Sequence, residues 1–131
     1  MIVIDASALI AILEFESERD AFAETIARAD RCVASAVTLL ESGMVLRGRR
    51  GPSGLAALAD LMSESAIEVV AFDAVQVEIA LTAFARYGKG INPLARLNLG
   101  DCASYALAKA LNAPLLYKGG DFAATDVATV I

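Results

Sequence analysis

Four acidic residues stand at positions where a carboxylate is costly unless it has a partner. Asp5 ends the apolar opening of the chain, and Glu41 interrupts an apolar run over 36–40. Asp101 follows a glycine at the start of a predicted helix, and Asp121 lies in a Gly-rich turn. A buried carboxylate carries a large desolvation cost, so such groups are normally paired or bound to a metal. Brought together by the fold, the four would form an all-oxygen site for a hard divalent cation.

The chemistry open to such a site is narrowed by the absence of histidine from the chain. Without histidine there is no imidazole acid/base catalysis and no Ser/His/Asp arrangement, and most zinc sites are removed. Oxygen ligands favour Mg²⁺ or Mn²⁺, and one or two such ions would relieve the mutual repulsion of converging carboxylates. A divalent ion acidifies the water that it binds, so acidic side chains alone can support phosphodiester hydrolysis.

The elements that must position these acids follow a regular pattern. Short apolar strands alternate with amphipathic helices, which is typical of an α/β fold whose parallel sheet is covered by helices on both faces. The chain predicts about five short strands, over 2–4, 32–34, 67–72, 115–117 and 127–131. Asp5 and Asp121 each follow one of these strands, and Asp101 starts the helix over 101–111. Glu41 lies two turns into a helix that begins just past a strand. Because ligands of such sheets bind beyond the carboxyl ends of the strands, all four acids can reach one edge.

Asp5 and Asp101 also have local interpretations as helix caps. Asp5 could cap the helix that follows it, although Ser7 would be at least as good a cap and would free Asp5 for another role. Asp101 could cap a helix over 102–111. Capping and metal binding are compatible for Asp101, because a carboxylate has two oxygens and several lone pairs.

The other acids differ in how well a local role explains them. Glu41 is the only charge within 36–46, on a helix expected to be mostly buried, and a solvent-facing position is its alternative. Asp121 lies in a turn where Asp is favoured for local reasons. Asp126 is in a similar position and is interpreted as structural, and Thr125 as a turn residue.

The length and the amino-acid composition indicate one domain, 1–131, with a high apolar content. The apolar fraction is 57% and the mean hydropathy is +0.59. No apolar run approaches the ~18 residues that a membrane-spanning helix needs, and no basic region precedes the apolar N-terminal stretch. We therefore expect a cytoplasmic protein without a secretory signal. The apolar excess is interpreted as a thoroughly buried sheet together with a self-association surface. Cys32 and Cys102 are interpreted as small buried hydrophobic residues.

Four segments of the chain carry a resemblance to one protein family. They are MIVIDASALIAIL over 1–13, AVTLLE over 36–41, NLGDCASYALAK over 98–109 and LLYKGGDFAATD over 115–126. In this combination and order the chain resembles the PIN-domain ribonucleases of the VapC type, the toxin half of a toxin–antitoxin pair. The resemblance implies a three-layer α/β/α sandwich that is usually dimeric. It also implies RNA as the substrate, and a cognate antitoxin that blocks the site, often by inserting a basic side chain.

The resemblance assigns roles to individual residues as well. The implied metal-site and catalytic acids are Asp5, Glu41, Asp101 and Asp121. Of these, Asp5 and Asp101 are implied as direct ligands of Mg²⁺ or Mn²⁺. Ser7 is implied as a hydroxyl beside Asp5. The family commonly shows one more acid near the last of the four, and Asp126, with Thr125 before it, is the candidate.

A cluster of three arginines acquires a role only through this resemblance. The net charge of −5 argues against a broad basic footprint for nucleic acid, although acids gathered around a metal would account for much of it. Arg47, Arg49 and Arg50 follow Glu41 by one to three helical turns and are predicted to contact RNA phosphates. The alternative is a solvated helix end that the helix dipole favours.

Two other functions compete with a metal-dependent ribonuclease. A phosphate-transfer domain of the receiver or phosphatase type needs an acidic pair at the first strand or an Asp-x-Asp motif. Here Asp5 is followed by Ala6 and Ser7, so that pattern fails. The second alternative is a non-catalytic PIN-like module that uses its acidic pocket to bind a basic partner segment. Titration with Mg²⁺ or Mn²⁺ distinguishes this module from the nuclease.

Overall fold

The computed structural model describes all 131 residues and confirms the predicted alternation of strands and helices. Six helices and four strands follow one another along the chain. In order they are β1 (Ile2–Ile4), α1 (Ala6–Leu13), α2 (Arg19–Arg28), β2 (Cys32–Ser35), α3 (Ala36–Arg50), α4 (Pro52–Glu64), β3 (Ile67–Val70), α5 (Ala74–Tyr87), α6 (Leu99–Leu111) and β4 (Leu115–Leu116). None of the six helices combines the length and the apolar character needed to cross a membrane.

The four strands form one parallel sheet in the order β3-β2-β1-β4. Every residue of β1, β2 and β4 is buried. These strands carry continuous runs of small and apolar residues instead of an alternating pattern, as expected for a sheet covered on both faces. The central strand β1 therefore has no solvent-facing side, and its carboxyl end opens directly onto the site.

Successive side chains of the strands point to opposite faces and enter two separate cores. Val3 and Leu115 pack in one core with side chains of α5 and α6. Ile4 and Leu116 pack in the other, with side chains of α1, α2, α3 and α4. The predicted three-layer α/β/α sandwich is thus confirmed, with one helical layer on each face of the sheet.

The predicted fifth strand is reduced to a single bridge. Thr129 pairs with Leu115 as an isolated parallel bridge. The Leu115 N–H donates to the Ala128 carbonyl at 2.8 Å, and the Val130 N–H donates to the Leu115 carbonyl at 3.2 Å. Because β4 is only two residues long, it offers the last segment too little edge for a longer ladder.

Helix α6 begins two residues earlier than predicted, and a single residue separates α3 from α4. In α6, the Asn98 side chain accepts the Asp101 N–H and the Asp101 side chain accepts the Asn98 N–H, a reciprocal capping box. Asp101 is therefore the third residue of the helix and not its cap. Helices α3 and α4 are separated by Gly51 alone, which adopts a φ of +66°, and Pro52 starts α4 with a preset helical φ.

The carboxyl ends of β1 and β4 lie side by side. The N–H of Asp5, the first residue after β1, donates to the carbonyl of Leu116, the last residue of β4, at 3.0 Å. Helix α1 and the segment 117–126 therefore leave the sheet from the same edge. This arrangement brings the two segments that carry Asp5 and Asp121 together.

Candidate active site

Asp5 is the buried acid at the centre of the site. It follows β1 directly and is only 3% exposed. Its Oδ2 accepts both the backbone N–H of Ser7 at 3.0 Å and the Ser7 hydroxyl at 2.7 Å, and its Oδ1 accepts the Ser104 hydroxyl at 2.6 Å. Asp5 is thus itself the cap of α1, and the expectation that Ser7 would cap this helix in its place is wrong. Capping engages only Oδ2, so Oδ1 retains a lone pair for another ligand.

Ser7 lies beside Asp5, as the resemblance implied, and links it to the segment after β4. The Ser7 hydroxyl donates to Asp5 and accepts the backbone N–H of Lys118 at 2.9 Å. The Lys118 ammonium nitrogen forms salt bridges with the carboxylates of Glu16, at 2.6 Å, and Glu18, at 3.4 Å. Its positive charge is therefore already paired with two carboxylates outside the four-acid group.

Glu41 reaches across from α3 to the start of α6. Its carboxylate lies over Gly100, so closely that a Cβ on Gly100 would overlap both carboxylate oxygens. Burial raises the pKa of Glu41, and the charge of Asp5 raises it further. Glu41 is therefore half-buried against its neighbours, and its solvent-facing alternative does not hold.

Asp101 is the acid whose ionisation is most affected by the site. Burial raises its pKa to about 7, the bond from the Asn98 N–H opposes this shift, and the charges of Asp5, Asp121 and Glu41 add to it. Its Oδ2 accepts the Asn98 N–H at 3.0 Å, and its Oδ1 makes no hydrogen bond. The three other acids all act on Asp101, so the fold does gather the four at one edge.

Asp121 is the exposed member of the group, in the turn that follows β4. The next residue, Phe122, is 2% exposed and packs on Tyr117, with ring centroids 4.9 Å apart. This buried ring anchors the turn, while the Asp121 carboxylate itself has no hydrogen-bond partner. It is therefore free to bind a ligand at the edge of the site.

The four acids suit a hard cation in chemistry and charge. All their donors are oxygen, and no lysine or arginine is among the charges that act on Asp101 or Glu41. Their carboxylates do not converge on one ion position, because no three Asp, Glu or Cys side chains in the structure are close enough together to hold one ion. Metal ligation by the four residues therefore stays a prediction.

A model of the family described as the PIN domain matches residues 2–128. The chain belongs to the PIN-domain family. It is 42% identical to ribonuclease VapC28 of Mycobacterium tuberculosis over 125 residues, which cover 95% of this chain and 94% of that relative. It is 43% identical over 129 residues to ribonuclease VapC30 of the same organism, with 98% and 97% covered. Relatives at this identity place the PIN domain in the VapC group.

Solved structures agree with this fold. The PIN domain superposes on Mycobacterium tuberculosis VapC20, a toxin that cleaves the sarcin–ricin loop, with a TM-score of 0.81 at 20% identity, covering 99% of this chain and 98% of that one. It superposes on VapBC2 of Rickettsia felis, solved with a promoter DNA fragment, with a TM-score of 0.76 at 16% identity, covering 100% and 98%. At these identities the likeness shows the architecture alone.

Thr125 and Asp126 of the PIN domain have partners of their own. The Thr125 hydroxyl donates to the Phe122 carbonyl at 2.7 Å, which makes Thr125 a turn residue. Asp126 accepts the Tyr105 hydroxyl at 2.5 Å and the Lys109 ammonium at 3.0 Å, and these contacts lower its pKa. They fasten the end of the Asp121 turn to α6. The structural interpretation of Asp126 agrees with these contacts, and the charge of Asp126 is not among those that act on Asp101.

The three arginines lie apart from the acids. All are exposed in the last turn of α3, about 9–14 Å along the helix axis from Glu41. One Arg50 guanidinium nitrogen donates to the Leu13 carbonyl at 3.1 Å, so Arg50 also ties α3 to the end of α1. Contact of Arg47, Arg49 and Arg50 with RNA phosphates stays a prediction.

Sequence reasoning missed three residues of the PIN domain that support the acids. They are Gly100, under the Glu41 carboxylate, Ser104, which donates to Asp5, and Thr38, whose hydroxyl lies 3.1 Å from that of Ser104. Two of them carry a signal in the sequence, because Thr38 is the one polar residue in the apolar run over 36–40 and Ser104 is the only serine or threonine in the predicted helix over 101–111.

The raised pKa of Asp101 predicts an unusual stability profile for the cation-free PIN domain. The folded state retains a proton up to about pH 7 that the unfolded state loses near its ordinary value of 3.8, so this group's contribution to stability is lost as pH rises between them. Asp101→Asn preserves the acceptor for the Asn98 N–H and removes the titration. We expect the variant to be more stable than wild type by about 1–3 kcal/mol at pH 8 and to differ little at pH 4. Thermal unfolding in EDTA at both pH values measures this, and an equal difference at the two would contradict it.

Proposed function

We propose that this PIN domain is a metal-dependent endoribonuclease that acts as the toxin of a toxin–antitoxin pair in the cytoplasm. One observation carries the proposal: three carboxylates act on the pKa of a fourth at the carboxyl edge of the sheet, with no base to neutralise them. Such a cluster is unfavourable in an isolated protein and suits a divalent cation. The relatives named ribonucleases support RNA as the substrate.

Each acid has a distinct part in the proposed site. Asp5 and Asp101 would hold Mg²⁺ or Mn²⁺ through the oxygens that their capping bonds leave free, and Glu41 and Asp121 would complete the ligand set on either side. When bound, the cation supplies an acidified water and neutralises charge on the scissile phosphodiester. The chain contributes no histidine, and Lys118 is paired with Glu16 and Glu18. The acids would therefore position the cation and balance its positive charge, and no residue is required as an amine or imidazole base.

The test of this function is cleavage of RNA under cation control. Purified protein is incubated with a single-stranded or a stem-loop RNA after EDTA treatment, and again after addition of Mg²⁺ or Mn²⁺. We expect cutting only after a cation is restored. Cation binding without cutting of any RNA would favour the non-catalytic module, and cutting that persists in EDTA would refute the metal site.

The partners of this function are also proposals. RNA would contact Arg47 and Arg49 through its phosphates, since both guanidinium groups are exposed on the helix that carries Glu41. A cognate antitoxin would approach the acidic edge with a basic side chain. Structural neighbours solved as toxin–antitoxin complexes, such as one from Klebsiella pneumoniae with a TM-score of 0.73 at 17% identity, support an antitoxin as a partner.

We further propose that the protein is a homodimer through an apolar groove between α5 and the start of α6. The groove has a volume of about 530 Å³ and is lined only by hydrophobic side chains. Two of these, Leu81 and Leu99, are 65% and 78% exposed. A second copy would insert such projecting leucines into the groove, which supplies the complementary surface.

The dimer is tested by its mass in solution. We expect twice the 13.6 kDa of one chain in sedimentation equilibrium. Leu81→Lys should shift the protein to monomer, because a charge would be buried in an apolar interface. Ala56→Lys, on the exposed side of α4, is the matched control and should leave the mass unchanged. A wild-type monomer at all concentrations would contradict the proposal.

A further inference from the structure

Two buried hydroxyls lie behind Asp5 and form a directed hydrogen-bond relay. Ser104 donates to Asp5 Oδ1 at 2.6 Å, and the Thr38 and Ser104 hydroxyls lie 3.1 Å apart. Both hydroxyl side chains are fully buried. An ionised carboxylate can only accept, so Ser104 gives its one proton to Asp5 and Thr38 is left to donate to Ser104. The hydroxyl relay therefore runs in one direction, from Thr38 through Ser104 to Asp5.

The relay ends on the one oxygen of Asp5 that can still bind a ligand. Oδ2 accepts two hydrogen bonds from Ser7, which occupy both of its lone pairs. Oδ1 accepts only the Ser104 hydroxyl and keeps one lone pair. The Ser104 bond, together with the two Ser7 bonds, fixes the rotation of the carboxylate and so the direction in which that free lone pair points.

The relay also joins the elements that carry three of the acids. Thr38 precedes Glu41 by three residues on α3, and Ser104 follows Asp101 by three residues on α6. Residues three apart lie on neighbouring positions of one helix face. The buried hydroxyls thus connect β1, α3 and α6 beneath the site, where a shift of any one element would move an acid.

We propose that Ser104 and Thr38 are positioning residues for the cation site and act through Asp5 Oδ1. This inference rests on the proposed function, since it concerns how the same acids meet their cation. Groups that hydrogen-bond to metal ligands orient them, and losing such a group typically costs about 10–100-fold in metal affinity. Neither hydroxyl is placed to touch the RNA.

A matched pair of substitutions at Thr38 separates the hydroxyl from its packing. Thr38→Val keeps the shape and removes the hydroxyl, whereas Thr38→Ser keeps the hydroxyl and removes a buried methyl. Calorimetric titration of the cation-free full chain with Mn²⁺ measures the dissociation constant, and thermal unfolding in EDTA measures packing. We expect Thr38→Val and Ser104→Ala to weaken Mn²⁺ binding by about tenfold. Thr38→Ser should have a lower melting temperature and yet bind within about twofold of wild type, since the relay is kept.

Three results would overturn the relay, and they separate it from the proposed function. If Thr38→Val binds Mn²⁺ as wild type does while Asp5→Asn does not, the relay is wrong and the cation site stands. Equal weakening by Thr38→Val and Thr38→Ser would assign the effect to packing and overturn the role of the hydroxyl. Absence of Mn²⁺ binding by the wild-type chain would overturn the proposed function and the relay together.

Discussion

Asp5→Asn and Asp101→Asn are each expected to lower cation-dependent RNA cleavage by about 1,000-fold. Each change removes a negative charge from the group that would hold the cation, and a cation contributes several kcal/mol to stabilising a phosphoryl transition state. The two variants differ in stability. Asp5 accepts three hydrogen bonds on two oxygens, so an amide there leaves one donor without an acceptor, whereas an amide in place of Asp101 would still accept the Asn98 N–H. Initial cleavage rates at saturating Mn²⁺, with melting temperatures beside them, measure both effects.

The control for these variants is an acid outside the cluster. Asp60 is exposed on α4, and Asp60→Asn changes the net charge by the same amount. Its cleavage rate should stay within about twofold of wild type, because surface charges distant from a site are screened by salt. Undiminished cutting by both Asp5→Asn and Asp101→Asn would remove these acids from the mechanism. Since Asp101→Asn is expected to fold at least as well as wild type, a loss of activity in that variant cannot be attributed to unfolding.

Gly100→Ala is expected to reduce cleavage by roughly 10–100-fold while leaving the fold intact, since small misplacements of site groups cost about that much. The added methyl would occupy the space of both Glu41 carboxylate oxygens. A glutamate side chain is flexible, so it can move away without disturbing the helices. Alanine also favours a helix over glycine by about 0.5–1 kcal/mol, which offsets the crowding. The change therefore acts on the position of Glu41 more than on stability.

The chain contains a matched control for this substitution. Gly48 is also helical, and a Cβ there would meet nothing within 4 Å. Gly48→Ala should match wild type in cleavage rate, whereas Gly100→Ala should not. Shortening the displaced acid should restore part of the activity, so we expect the double variant Gly100→Ala with Glu41→Asp to exceed Gly100→Ala alone. Equal rates for Gly48→Ala and Gly100→Ala would show that the position of Glu41 is immaterial.

The sequence predicts those parts of the fold that are determined by patterns of neighbouring residues. The continuous apolar runs at 2–4 and 32–34 indicate strands buried on both faces, and the structure has strands there, the second of them extended by Ser35. The start of α6 is also encoded locally, by Asn98 and Asp101 in the spacing of a capping box, although the prediction starts this helix at Asp101. The last segment failed as a strand for a reason that lies outside it, namely the shortness of β4.

The candidate site likewise has residues whose placement the sequence predicts and contacts that it does not predict. Topology alone brings Asp5 and Asp121 to one edge, because each follows a parallel strand. The contact of Asp5 with Ser104 spans 99 residues, and that of Thr38 with Ser104 spans 66. No local pattern encodes such pairs, since they depend on how α3 and α6 pack over β1. The contact of the Glu41 carboxylate with Gly100 likewise depends on the packing of α3 against α6 and has no local sequence pattern.

The most direct test of the central claim is a crystal structure of the protein grown with Mn²⁺, in which anomalous scattering locates the ion. We expect a peak at ligand distance from Asp5 Oδ1 and from an oxygen of Asp101, with the Glu41 and Asp121 carboxylates turned toward it. Asp5 Oδ2 should keep both of its bonds to Ser7. A fully occupied Mn²⁺ site elsewhere on the protein, with no peak between Asp5 and Asp101, would contradict the claim that these acids form the active site.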